Sequence, residues 1–470
     1  MTTALVTDWY ELIMANASFQ SGNFDEVAYF DVFFRNIPQN GGFALFAGLE
    51  SVIKDIQNLK FGKDDIDFLR SKKVFSEKFL QNLIDFKFEC DIWSFAEGVP
   101  IFPNEPIMIV RGPFWQAQLI EVLVLQAINH QSLIATKASR LVRVSGDRGI
   151  MEFGARRAHG ADASIYGARS CYIAGFIGTS NVEAARLFGI PAMGTMGHSW
   201  VQSFNSEFEA FAKYARVYPD NCSLLIDTYN VQKSGIINAI RAHNEVLLPM
   251  GKRLSSVRID SGDIAYISRK VRAELDKNDM QDTKIIASNA LDEYIIRDLI
   301  GQNARIDLFG VGEKVITSFP EPIFDGVYKL SAIEKNGEII PKIKISENIG
   351  KITDPGFKKV LRLYSKEDSK AIADVISLHD EFLPETIDIF DPNHTWKKKT
   401  LSNFVAKEML IPIFKKGKLI YNLPKLDEIR AFAKGQVDSL WEEVKRFENP
   451  HQYYVDLTPK LWELKQSMLK

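Results

Sequence analysis

The chain changes its hydrophobic rhythm twice. Up to about Ser145 the apolar spacing is mixed. YELIMANASFQ has helical periodicity, with Asp8 where a cap belongs and Gly22 where the helix should stop. VAYFDVFFR alternates as a half-buried strand would, and Pro38, Gly41 and Gly42 end it. FALFAGLESVIKDIQNL predicts a strand or turn leading into an amphipathic helix, and EPIMIVRGPF a strand closed by Gly-Pro. QAQLIEVLVLQAINHQSLIATKASRLV predicts a long, mostly apolar helix inside a core.

From Ile150 to Phe319 short apolar runs alternate with helical ones. NVEAARLF should stop at Gly189, SEFEAFAKYARVY at Pro219 and LDEYIIRDLI at Gly301, while KSGIINAIRAHNEVLL and DIAYISRKVRAELDKN complete the set. The period is roughly 20–35 residues, the size of a βα unit, and such alternation implies a parallel sheet. Seven strand ends are expected, near Phe153, Thr179, His198, Asp227, Asp260, Ser288 and Gly310. The expected architecture is a barrel closed by seven or eight strands, with a doubly wound open sheet as the alternative. Beyond Phe319 the texture changes again. VYKLSAIEKNGEIIPKIKIS predicts a hairpin around Asn336-Gly337, and Pro341 limits its second strand to a sheet edge. LDEIRAFAKGQVDSLWEEVKRF predicts an amphipathic helix, and Lys397, Lys398 and Lys399 a solvated loop.

Composition narrows the function. With 470 residues the chain can build a large core and more than one domain. Hydrophobic residues make up 46%, which suits a globular protein, and a net charge of −2 offers no basic field for nucleic acid. Cys90, Cys171 and Cys222 are too widely spaced for a disulfide framework or a CxxC site, which suits a reducing cytoplasm. MTTALVTDWYELIM lacks the basic and long apolar regions of a signal peptide, and no apolar run is expected to reach transmembrane length.

The chemistry concentrates where strands should end, as in β/α-barrel enzymes. His198 stands in the small-residue turn GTMGHSWV. A lone histidine is ordinarily satisfied inside a core, but a strand-end position favours a reactive ring. Asp227 and Asp260 follow buried runs, where a carboxylate needs a partner. One could fix the His198 tautomer and the other accept from sugar hydroxyls, unless each merely caps the next helix. Asp263 is better explained as such a cap. The adjacent Arg156 and Arg157 could fork onto phosphate or carboxylate oxygens, or could form surface ion pairs. Phe153 offers a face to a flat ring. Ser288 and Asn289, with Gly310 and Gly312, lie in two small-residue loops in which backbone N–H groups could approach a phosphate. No HxxH or HExxH pattern supports zinc.

TDWYELIM, FGARRAHG, GTSNVEAARLFGIP, GTMGHSWV, DTYN, VRIDSGD, ASNALDE, GVGEKVIT, KIKISEN and ITDPGFKKVLRLY together resemble the nicotinate phosphoribosyltransferases. The likeness spans nearly the whole chain. It implies an irregular or incomplete β/α barrel over 146–324, packed on an α/β domain built from 1–145 and 325–470. It implies a homodimer with shared active sites, acting on nicotinate, 5-phosphoribosyl 1-pyrophosphate and ATP, with Mg²⁺, in NAD salvage. It matches His198 to a phosphohistidine, Asp227 to its carboxylate partner and Phe153 to the ring that stacks on the pyridine. Tyr10 corresponds to an aromatic reaching over from the other subunit. Arg156 falls near the pyridine and pyrophosphate, and Arg258 and Asp260 at diphosphate and ribose contacts. Ser288, Asn289, Gly310 and Gly312 match loops that hold the 5′-phosphate. Ser180 stands where nicotinamide-using relatives carry aspartate, and with Arg157 it favours the acid over the amide. Two departures stand out: Glu313, where a small or hydroxylated residue is usual, and Ala290, where an acid is common. A nicotinamide phosphoribosyltransferase, a quinolinate-using relative and a non-catalytic pyridine-nucleotide-binding protein are the competing readings. Ser180 argues against the first, His198 against the second, and the retained His198, Asp227 and arginines against the third.

Overall fold

A computed structural model of the chain describes residues 4–392 and 394–470. The chain divides into two compact units, Met1–Thr136 with Ile323–Lys470, and Lys137–Pro322.

The first unit is organised by a seven-stranded antiparallel sheet drawn from both chain ends. Its strand order is 338–341, 327–335, 27–33, 108–113, 91–94, 411–415 and 418–419. Strand Val27–Phe33 lies between Val327–Lys335 and Met108–Pro113. That central place explains why it is buried at nearly every position rather than on alternate ones. Even Asp31 is inside, where Lys358 meets its carboxylate at 2.8 Å. The hairpin turns at Asn336 and Gly337, both at positive φ, and Pro341 closes the edge strand Glu338–Pro341. A second, four-stranded sheet orders 404–408, 358–365, 371–378 and 454–457.

Several local expectations change. Helix Trp9–Ser21 ends at a left-handed Gly22, but Asp8 makes no side-chain capping bond. The apolar run 114–145 breaks at Ile120 into helices Phe114–Leu119 and Glu121–Ser145. Contrary to expectation, this stretch is long and apolar enough to cross a membrane by length and composition. However, 67% of its apolar window is buried inside the protein, where Ala117, Ile120, Val124 and Ile128 join the core. Lys397, Lys398 and Lys399 lie not in a loop but in strand His394–Leu401, because pairing with Ile387–Asp391 extends the backbone while the ammonium groups stay in water. The tail helix stops at Asp438, and Glu442–Lys445 forms a separate turn.

The second unit carries a six-stranded parallel sheet in the order 178–179, 149–152, 308–311, 284–288, 256–259 and 223–225. It is an incomplete barrel, not one closed by seven or eight strands. The strand expected before His198 is reduced to a single bridge between Thr179 and Ala192. Pro191 lacks an N–H, and Gly194 and Gly197 weaken an extended run. Leu224, Ile226, Val257, Ile259 and Ile285 fill the core beneath helices Glu207–Val217 and Ile264–Lys277. Side chains of Asn181, Ser206, Asp263 and Asp292 cap the helices that leave the sheet. Gly301 is the last helical residue of Glu293–Gly301 rather than its stop. Residues 231–247 form a helix with a wide π turn at each end, starting directly after Asp227–Asn230.

Candidate active site

Parallel strands deliver their carboxyl ends to one edge of the second unit's sheet, and most of the expected site residues lie there. Asp260 follows Ser256–Ile259 and binds its neighbours tightly. Its Oδ1 accepts from Arg258 Nη2 at 3.0 Å and from Ser288 Oγ at 2.5 Å. Arg258 Nε donates in turn to Ser288 Oγ at 2.7 Å. The triangle spans two adjacent strands and leaves the guanidinium 5.6 Å from the centre of the Phe153 ring. Arg258, Asp260, Ser288 and Phe153 are therefore one cluster.

His198 opens the short helix His198–Gln202, and its side chain is 42% exposed. Its Nδ1 lies 3.1 Å from Thr228 Oγ1 and its Nε2 3.8 Å from Asp260 Oδ2. The ring is thus held beside Thr228 and Asp260. Asp227 does not bond the ring as the sequence suggested, because its Oδ2 already accepts from the Asp260 N–H at 2.9 Å and the Ser261 hydroxyl at 2.7 Å. Its Oδ1 is buried without a hydrogen-bond partner.

The glycine loops work differently from each other. A Cβ at Gly310 would fall 2.6 Å from Phe153 Cδ2 and Cε2, so this glycine makes room for the ring rather than for a phosphate. At Gly312 a Cβ would meet the Phe153 carbonyl oxygen at 3.0 Å. Asn289 adopts φ 136°, a conformation rare outside glycine, and its own Oδ1 accepts from the Ala290 N–H at 2.7 Å. The Leu291 N–H in turn donates to the Asn289 carbonyl at 2.6 Å, so the turn beside Ser288 is closed by its own hydrogen bonds.

Arg156 and Arg157 lie in the exposed turn Ala155–Arg157. Glu313 turns toward Arg157, with 3.8 Å between Oε2 and Nε, while Lys314 sits 3.5 Å from the centre of the Phe319 ring. Ser180 is exposed, and its N–H donates to the Glu152 carbonyl at 2.9 Å. Tyr10 belongs to the first unit, on helix Trp9–Ser21. Burial, then the nearby Glu121, pushes its phenol up to about 12.

Two residues escaped the sequence reading. Thr228 stands beside Asp227 in IDTY, yet nothing in the motif shows that its hydroxyl meets a ring thirty positions earlier. Glu152 ends strand Gly149–Glu152 with no exposed surface. Its Oε1 accepts from the Gly154 N–H, and its Oε2 accepts from Thr179 Oγ1 at 2.5 Å. Burial pushes this carboxyl up, while the Thr179 and Gly154 donors pull it back. A lone acid inside the apolar run IMEFG was the available signal.

A parallel β/α sheet whose carboxyl edge gathers a histidine, arginines and carboxylates defines a class: a barrel-type enzyme. Comparison with known proteins narrows the class to a family. Residues 149–368 match the model described as "Nicotinate phosphoribosyltransferase (NAPRTase) family", 5–129 its N-terminal domain and 357–465 its C-terminal domain. A nicotinate phosphoribosyltransferase from Bacillus subtilis (strain 168) is 42% identical over 99% of this chain and 95% of its own length. One from Caenorhabditis elegans is 33% identical over 98% and 92%. The crystal structure of human nicotinic acid phosphoribosyltransferase superposes with a TM-score of 0.88, at 28% identity, covering 99% of this chain and all of that one. The chain belongs to the nicotinate phosphoribosyltransferase family.

Proposed function

We propose that this enzyme joins nicotinate to 5-phosphoribosyl 1-pyrophosphate, giving nicotinate mononucleotide and pyrophosphate, and couples the step to ATP hydrolysis through a phosphohistidine at His198. The observation that carries the reading is the placement of His198 against Asp260, which is itself tied to Arg258, Ser288 and the Phe153 ring. One polar cluster thereby serves a phosphoryl acceptor, a sugar phosphate and a flat ring.

The chemistry asks little acid–base work of the protein. The pyridine nitrogen carries no proton when it attacks C1, so the site must position and shield rather than abstract. Departure of pyrophosphate leaves positive character on the sugar and negative charge on the leaving group, which Arg258, Arg156 and Arg157 are suited to stabilise. The Asn289 turn and Ser288 are assigned to the 5′-phosphate, and Phe153 with Ser180 to nicotinate. Tyr10 is assigned to the same ring from a second copy of the chain. Val6, Trp9, Tyr10 and Met14 are exposed apolar side chains on or beside the first helix, which suits a homodimer contact. Light scattering at about twice the 53.3 kDa chain mass checks it.

Among the described residues no group of three or more His, Cys, Asp or Glu could hold a metal. Mg²⁺ commonly needs only one or two carboxylates plus substrate phosphates. The unpartnered Asp227 Oδ1, with Asp260 adjoining, fits that requirement. When bound, Mg²⁺ supplies charge neutralisation at the diphosphate. The buried, unpaired cysteines suit a cytoplasmic enzyme.

The test is product formation from labelled nicotinate and 5-phosphoribosyl 1-pyrophosphate, with and without ATP, in wild type and His198→Asn. Stimulation by ATP that disappears in the variant is expected. Full ATP stimulation in His198→Asn would overturn the phosphohistidine.

A further inference from the structure

Glu152 lies behind the substrate residues, and no role has been assigned to it. Its two carboxylate oxygens face two different turns. One accepts from the Gly154 N–H, in the turn that carries Phe153, Arg156 and Arg157. The other accepts from the Thr179 hydroxyl, directly before Ser180. The network extends from there. Thr179 Oγ1 accepts from the Asn181 N–H at 2.9 Å, and Asn181 Nδ2 donates to Ser164 Oγ at 3.0 Å. The Glu152 backbone repeats the tie, since its carbonyl accepts from the Ser180 N–H. The strands bearing these turns are hydrogen-bonded neighbours, with Glu152 opposite Thr179 in register. A parallel pair fixes their separation in the sheet but leaves the loops beyond it free to splay. The buried carboxylate closes that freedom.

We infer that Glu152 is a positioning residue for nicotinate: it sets the gap between the Phe153 face and the Ser180 hydroxyl. The inference rests on the assignment of those two residues to nicotinate. A neutral amide serves both turns less well. Its oxygen can accept from the Gly154 N–H, but its NH₂ then faces Thr179 Oγ1, whose hydroxyl must turn to accept and loses the carboxylate to which its proton was bonded. Aspartate keeps the charge but is one methylene too short to reach both.

The experiment compares wild type with Glu152→Gln and Glu152→Asp. It measures kcat, KM for nicotinate, KM for 5-phosphoribosyl 1-pyrophosphate and ATP hydrolysis in the absence of nicotinate. Loss of one buried hydrogen-bond match predicts a nicotinate KM raised roughly tenfold or more. The nicotinate-independent ATP hydrolysis should stay within about threefold, because His198 lies outside these turns, and the KM for 5-phosphoribosyl 1-pyrophosphate should rise less than that for nicotinate, because only Arg156 and Arg157 reach the diphosphate from them. Should the Glu152 variants not fold, Thr179→Val removes one arm at nearly constant shape and should give the same selective rise. Thr179→Ser, which keeps the hydroxyl, should restore the wild-type value. An unchanged nicotinate KM in a folded variant, or parallel losses in every parameter, would overturn the positioning role. A wild-type protein that makes no nicotinate mononucleotide would instead overturn the functional reading itself.

Discussion

On the proposed function, nicotinate is faced by Ser180 and by the Phe153 ring for which Gly310 makes room. A serine hydroxyl can donate to a carboxylate, whereas an aspartate at the same place would repel it and accept from an amide. Ser180→Asp should lower kcat/KM for nicotinate by roughly 10–100-fold without a matching loss for nicotinamide, as competition between the labelled bases would show. Gly310→Ala tests the aromatic wall. The added methyl would collide with Phe153, shift the ring and raise the nicotinate KM roughly tenfold in a protein that still folds, because small displacements of positioning groups are costly. Steady-state kinetics beside a thermal melt separates the two effects. Part of the site was readable in the chain: Asp260 and Ser288 stand at expected strand ends, whereas Arg258 was named by the family likeness alone and lies within strand Ser256–Ile259. The partners of the site residues were not readable. Thr228 in place of Asp227 beside the ring, and Glu152 beneath two loops, are fixed by contacts between distant strands. Motif spacing contains no such distances.

Among the elements, those with a local cause were legible. Gly22, Asp263, Gly189 and the Asn336-Gly337 turn end or start elements through their own backbone or side-chain chemistry. Elements whose state depends on neighbours were not. The expected seventh strand fell to one bridge, and the lysine run 397–399 became a strand because residues 387–391 pair with it. The helix after Asp227 shows the same dependence. Its first turn widens to a π turn, and Gly235 packs so closely that a Cβ would stand 1.8 Å from the Ile226 carbonyl oxygen. Gly235→Ala should therefore cost about 3 kcal/mol or more, read as a lower urea midpoint. Turnover should fall with it, since Ile226 leads straight into Asp227 and Thr228.

For the whole molecule, pH acts through the first unit as well as through the site. Glu11 has no exposed surface, and burial pushes its carboxyl from an ordinary 4.5 up to about 8, against the pull of the Thr7 hydroxyl. Between those values the folded chain binds a proton that the unfolded chain has released. Stability attributable to Glu11 is therefore complete below about pH 4.5 and declines until about pH 8. Glu11→Gln should flatten that decline, which melting temperatures across this range would show. An unchanged slope would mean that the carboxyl ionises freely in the fold.

The sheet of the first unit also has a history in time. Strand Val27–Phe33 can pair early with Met108–Pro113, but its other neighbour, Val327–Lys335, emerges from the ribosome some three hundred residues later. At roughly 5–20 residues per second that interval lasts on the order of tens of seconds. Throughout it an apolar strand keeps one edge unpaired, open to any other nascent chain. The Lys137–Pro322 unit is synthesised entirely within the same interval, while the first sheet still waits.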